Sequence, residues 1–162
     1  MKKIILSLCV LSVLASCKSE NDTKAELSKS NIAYYSNVWE VAINEGRTNI
    51  LDTAYVDDAV LHTVPEIKGK ANAKAYYDNF VTGFSERKFV IKQIFADGDQ
   101  LVKYWQFTGK HTGPFFGIPA TGKSVDVIGC TIVKMKDGKI AEEQDFMDNL
   151  EFMQQLGIIP RN

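Results

Sequence analysis

Two carboxylates near the end of the chain carry the most legible chemistry. Glu143 and Asp145 stand two residues apart in the run KIAEEQDFMDN. On a β-strand, side chains at that spacing share one face and sit roughly 6–7 Å apart. If that face lines a hollow of low dielectric, repulsion and desolvation raise one of the two carboxyl pKa values. The result is a proton donor or base that works near neutrality. Deprotonation of a carbon acid, or a ring closure, needs little beyond such a base and an apolar pocket. The plainer alternative leaves Glu143 in water and Asp145 alone facing inward.

The chain has two histidines. His111 lies in Gly109-Lys110-His111-Thr112-Gly113, where flanking glycines suggest a shaped turn. A hydrogen bond that holds the loop from Pro114 to Lys123 is the favoured role over catalysis. His62, beside a strand end, is either a polar group of the pocket or a simple hydrogen-bonded residue. Two histidines without a cysteine cluster make a poor ligand set, so no metal is expected. GIPATGK lacks the spacing of a phosphate loop, and no Ser-His-Asp order stands out. Of the three cysteines, only Cys130 lies in the body of the chain, so no internal disulfide is expected there. A lone Cys in a strand is usually a small buried hydrophobe. A net charge of −1 gives no reason to expect a nucleic-acid partner.

The elements that must position these residues follow from periodicity. From Asn31 to Glu45, apolar residues Ile32, Tyr35, Val38, Trp39, Ala42 and Ile43 fall on one helical face. Tyr35 and Trp39 then form either core or one wall of a cavity. A short helix is expected over Thr48–Ala54, a turn over Tyr55–Asp58 and a strand over Ala59–Thr63. The third helix, Ala71–Phe84, turns Ala75, Tyr76, Asn79, Phe80 and Phe84 towards one face. Strands follow at Lys88–Ala96, Leu101–His111, Ser124–Lys136 and Lys139–Asp148, with hairpin turns at Asp97-Gly98-Asp99 and Asp137-Gly138. A short terminal helix spans Leu150–Leu156. Helices first and an antiparallel meander last define an α+β fold, with N-terminal helices packed over a curved sheet around a hollow. Which face of 101–111 points inward stays open, since both carry aromatics.

The first residues read differently. Met1-Lys2-Lys3 precedes an apolar run from Ile4 to Leu14, too short for a comfortable membrane span but suited to a secretory signal. Leu14-Ala15-Ser16-Cys17 resembles the lipobox of bacterial lipoproteins, in which the Cys is acylated and becomes the new N-terminus. That resemblance implies a signal peptide at 1–16, lipidation of Cys17 and a membrane anchor in the cell envelope. Lys18, in place of the Asp that favours inner-membrane retention, leans towards the outer membrane. The polar residues from Lys18 to Ser30 read as a flexible tether, 17–30, ahead of one domain at 31–162.

The domain itself resembles the SnoaL-like polyketide cyclase, or ester cyclase, branch of the nuclear transport factor two-like superfamily. The residues that carry the resemblance are Ile67-Lys68-Gly69-Lys70, Gly109–Gly113, Gly117-Ile118-Pro119-Ala120-Thr121-Gly122-Lys123, Asp137-Gly138-Lys139-Ile140 and Gln154-Gln155-Leu156-Gly157. It implies a cone-shaped α+β barrel with a deep, largely apolar pocket, commonly dimeric through its sheet. It also implies ring closure by an intramolecular aldol step, with an acid/base Asp on the last strand and neither metal nor cofactor. Asp145 matches that Asp. The family's His two residues earlier is Glu143 here, and the His of the preceding strand falls near Thr131. Two functions are therefore expected to compete. One is an acid/base catalyst on a small carbonyl compound through Asp145. The other is a lipid-anchored module that only binds a small hydrophobic ligand. Tyr35, Trp39, His62, Phe80, Phe84 and His111 are the candidate pocket residues.

Overall fold

The computed structural model describes residues 19–161. Its first helix, α1 (Glu20–Trp39), starts well before the expected Asn31. Ser19 caps it by accepting from the Asp22 amide at 3.1 Å, and Glu20 and Asp22 favour the positive end of the helix dipole. Residues 20–30, expected as part of a flexible tether, are thus helical. Their polar side chains, invisible to a search for apolar periodicity, dock on a distant turn. Lys24 pairs with Asp97 at 2.6 Å, Ser28 Oγ accepts from the Gly98 amide at 2.8 Å, and Asn31 Nδ2 donates to the Gly98 carbonyl at 2.9 Å.

A π-helical turn, Glu40–Asn44, follows α1. Asn44 leaves it to pair with the backbone of Phe89, donating to the carbonyl at 2.9 Å and accepting from the amide at 2.7 Å. A 3₁₀ turn (Thr48–Ile50) and α2 (Leu51–Ala54) lead into β1 (Tyr55–Leu61). The strand therefore begins at Tyr55, where a turn was expected. Tyr55 and Ala54 are fully buried, and burial holds the chain extended there. After β2 (Ile67–Lys68) comes α3 (Lys70–Gly83), whose buried residues are Ala73, Tyr77 and Gly83. The inward face is rotated from the expected one, with Tyr77 at its centre and Tyr76 beside it.

Four long strands complete the sheet: β3 (Phe84–Asp97), β4 (Gln100–His111), β5 (Ser124–Lys136) and β6 (Lys139–Met147). The helix α4 (Asn149–Gln155) closes the chain, capped by Asp148. The strand order is β2-β1-β6-β5-β4-β3, antiparallel except where β1 runs parallel to β6. Alternation along β4 turns Leu101, Lys103, Trp105, Phe107 and His111 inward and leaves Val102 and Tyr104 on the outer face. The aromatics on both sides made this undecidable beforehand; the apolar neighbours on β5, Val125, Val127 and Val133, decide it.

The inner face and the helices enclose the core. Near the loop end, Phe84 packs edge-on against Phe107 and Phe115, with ring centroids 5.3 and 5.1 Å apart. Each such contact contributes about 0.5–1.5 kcal/mol beyond burial. Phe84 belongs to this packing and does not wall a cavity. Gly129, opposite Trp105 on the neighbouring strand, admits the indole: a Cβ there would lie 2.2 Å from the ring.

Candidate functional site

The inner face of β6 carries both carboxylates, in very different settings. Glu143 is 2% exposed and sealed beneath three tyrosines. Tyr35 of α1 donates to Oε1, Tyr55 of β1 donates to Oε2, and Tyr77 of α3 approaches Oε2 at 3.2 Å. Three elements thus converge on one acid. Burial, with Asp145 adding to it, raises the Glu143 pKa, against the pull of Lys103 and the tyrosine hydroxyls. The expected shift on one member of the pair falls here. The same burial, and the carboxylates, hold Tyr35, Tyr55 and Tyr77 well above the usual phenol range.

Asp145 is exposed and lines the cavity. Its Oδ1 accepts from Thr131 of β5, directly opposite in register, and its Oδ2 accepts from Tyr77 at 3.3 Å. Thr131 is fixed in turn by the Trp105 indole N–H at 2.8 Å. The Tyr77 hydroxyl spans Glu143 and Asp145 and so links the sealed acid to the open one.

Around Asp145 lies a cavity of about 370 Å³, walled by Tyr76, Phe80, Trp105, Phe107, Met147 and Phe152 among others. His62, Thr63 and Asn149 add polar groups at its rim. A narrower recess of about 50 Å³ continues past Asp145, Phe80, Trp105 and Phe107 to Trp39, Phe89 and Lys103. A wider depression of about 580 Å³ beside α1 has charged, water-facing side chains and no aromatic wall, so it offers no comparable chemistry.

The candidate residues therefore separate. Asp145, Phe80 and His62 line the cavity and Trp39 lines the recess. Tyr35 lies behind, against Glu143. His62 has both ring nitrogens occupied, by Glu66 at 3.1 Å and Glu142 at 3.0 Å, and the Glu142 contact leads in raising its pKa. His111 is fully buried, its ring tilted against Phe84 at 5.2 Å between centroids, with Nδ1 against the Thr121 hydroxyl at 3.1 Å. Its backbone pairs with Lys123 and Gly122. It fastens the 114–123 loop and lines neither the cavity nor the recess around Asp145. Among the described residues no group of His, Cys, Asp and Glu has the arrangement of a metal site.

Sequence reasoning missed Lys103, Tyr55 and Tyr77. Lys103 carried a signal: it breaks the apolar alternation Leu101, Trp105, Phe107.

This fold matches a known class. The family model for SnoaL-like polyketide cyclase matches residues 32–156. The chain belongs to that family. Among curated relatives, aklanonic acid methyl ester cyclase DnrD of Streptomyces peucetius is 26% identical over 121 residues, spanning 72% of this chain and 83% of the relative. Aklanonic acid methyl ester cyclase DauD of Streptomyces sp. (strain C5) is 28% identical over 123 residues, 72% of this chain and 75% of that protein. Among solved structures, a SnoaL-like protein of Jannaschia sp. CCS1 superposes with a TM-score of 0.74 at 22% identity, covering 89% of this chain and 99% of its own. TsrD of Streptomyces laurentii gives 0.73 at 24%, covering 81% and 98%. At these identities the structures establish the fold alone.

Proposed function

We propose that the protein is a cofactor-independent acid/base catalyst that cyclises or isomerises a small, largely apolar carbonyl compound. The observation that carries this reading is the open Asp145 carboxylate, held by two hydroxyl donors against an aromatic cavity. Each carboxylate oxygen keeps a second lone pair, so Asp145 can still take a proton. In an aldol closure it removes the proton α to a carbonyl. The C–H pair becomes a C=C bond, and the carbonyl pair moves to oxygen. The enolate carbon then bonds to a second carbonyl carbon, whose oxygen receives the proton back. Family membership and the cyclase names of DnrD and DauD support this reaction class. The test is α-proton exchange of 2-tetralone in D₂O, followed by NMR with the wild-type protein and with Asp145→Asn. Acceleration that disappears in the variant supports catalysis.

A second reading, a cup that binds a small hydrophobic molecule without turnover, draws on the resemblance, which puts Glu143 where the family has one His and the other near Thr131. Saturable 2-tetralone binding with no accelerated exchange would select it.

The same reading includes a homodimer and an envelope address. The outer sheet face bears two apolar rows, Val102 with Ile132 and Tyr104 with Cys130 and Phe146, flanked by Ile128 at 52% exposure. A second copy of this face is the simplest cover for such a patch. Ile128→Asp should convert the protein to monomers in sedimentation velocity; an unchanged species would remove this face as the interface. Lipidation at Cys17 rests on the Leu14–Cys17 run, which lies outside the described residues. With α1 starting at Glu20, only Lys18 and Ser19 separate the anchor from the helix. The domain would then ride within about 10 Å of the lipid headgroups. Cys17→Ser should move the protein from the membrane to the soluble fraction; membrane retention would overturn the anchor.

A further inference from the structure

Lys103 is an anomaly that the acid/base reading does not use. It is 2% exposed, and its ammonium faces rings: Trp39 at 4.0 Å, Tyr35 at 4.9 Å and Phe89 at 5.1 Å to the centroids. Ring faces stabilise a cation but are weak acceptors for its three N–H groups. No hydrogen bond or ion pair to Lys103 is made among the described residues. The two nearby acids are turned elsewhere: Glu143 to its tyrosines, Asp145 to Thr131 and Tyr77. An ammonium so largely withdrawn from water, with rings in place of acceptors, is costly, and folded proteins rarely keep one without a use.

The placement gives the use. Lys103, Thr131 and Asp145 stand directly opposite one another on β4, β5 and β6. At the spacing of neighbouring strands, the backbones of Lys103 and Asp145 are about 10 Å apart, with side chains on the same face. Both line the 50 Å³ recess, which holds roughly one small polar group beyond the wider cavity. Trp39, on the same recess, has a buried indole N–H that also lacks a partner.

We propose that Lys103 is the oxyanion-binding group of this site: its ammonium takes the carbonyl oxygen of the bound compound and holds it as charge develops there. The proposal deepens the acid/base reading by defining the ligand's polar end. The substrate presents an enolisable carbonyl oxygen to the recess, its α-carbon over Asp145 and its apolar body in the outer cavity. As Asp145 takes the α-proton, the carbonyl pair collects on oxygen beside Lys103, and proton return reverses the shift. A fixed cation in a water-excluded pocket stabilises such charge far more than water does. Burial lowers the Lys103 pKa, while Glu143 and Asp145 oppose that and favour the charged form.

The test uses 4-nitrophenol, whose phenolate absorbs in the visible and mimics an enolate oxygen on an apolar ring. At a pH below its solution ionisation, binding to the wild-type protein should raise the phenolate-to-phenol ratio about tenfold or more. Lys103→Met, which keeps bulk in the aromatic cage, should bind only the neutral phenol. Lys103→Arg should keep part of the shift. Circular dichroism checks that each variant is folded. Absence of a phenolate shift in the wild-type protein, or no binding at millimolar probe, overturns the proposal whatever the variants do. So does a shift unchanged in folded Lys103→Met. Asp145→Asn should retain the shift, so loss of exchange in that variant with the shift intact separates the two roles.

Discussion

Asp145→Asn is expected to lose 2-tetralone exchange by about 10²–10⁴-fold, the usual contribution of a positioned general base. The substitution keeps shape. The amide oxygen accepts from Thr131 as Oδ1 does now. The amide nitrogen meets the Tyr77 hydroxyl, which still donates to Glu143 and can accept from the new N–H. The cavity walls do not move, so affinity for 2-tetralone should stay within a few-fold by calorimetric titration. Exchange at the wild-type rate in the variant would remove Asp145 from the chemistry. Equal loss of binding and exchange would make it a binding group and not the base.

Glu143→Ala should cost about 3–5 kcal/mol of stability, the range seen when one partner of a buried charged network is removed. Tyr35 and Tyr55 would lose their acceptor at once, Tyr77 would keep only Asp145, and Lys103 would lose the stronger of the two charges that offset its burial. For a domain of this size that is a fall of about 10–15 °C in thermal midpoint, read by circular dichroism. Glu143→Gln keeps an acceptor oxygen and should recover part of the loss. The sign of the pH dependence follows from the raised carboxyl pKa. Between the ordinary value of 4.5 and the folded value, the native state holds a proton that the unfolded chain has released. This group therefore contributes a fall in stability as pH rises through that window. Glu143→Gln should flatten that slope in urea titrations at stepped pH. A Glu143→Ala midpoint within 2–3 °C of wild type, below about 1 kcal/mol, would show that the tyrosine cage holds without its acid.

Much of the architecture was legible because the strands β3 to β6 alternate and their hairpins carry Asp-Gly turns at positive φ, as at Gly98 and Gly138. Asp145 was legible through its spacing from Glu143 on a strand and through the family resemblance. The helical segment before Asn31 was not, because its anchors are hydrogen bonds and an ion pair to a turn nearly seventy residues away. The tyrosine cage was hidden for a related reason. Tyr35, Tyr55 and Tyr77 lie on three elements, and only the closed fold brings their hydroxyls to one carboxylate. Tyr55 sat in a presumed turn, and Tyr77 sat one position off the assumed helix face. Lys103 could have been singled out by asking why a lysine breaks an apolar stripe.

The parallel pairing of β1 with β6 has a consequence for the order of assembly. β6 leaves the ribosome after the other five strands of the sheet, yet it occupies the middle, between β1 and β5. Until it inserts, Tyr55 and Thr131 face a gap, and β1 lacks the neighbour that ties it to the long strands. Contacts that span Tyr55 to Ile140 close a long loop and form slowly. The carboxylates thus arrive as the keystone of a scaffold already built. A nascent chain halted before Lys139 would hold all three tyrosines and the lysine, but no acid to organise them.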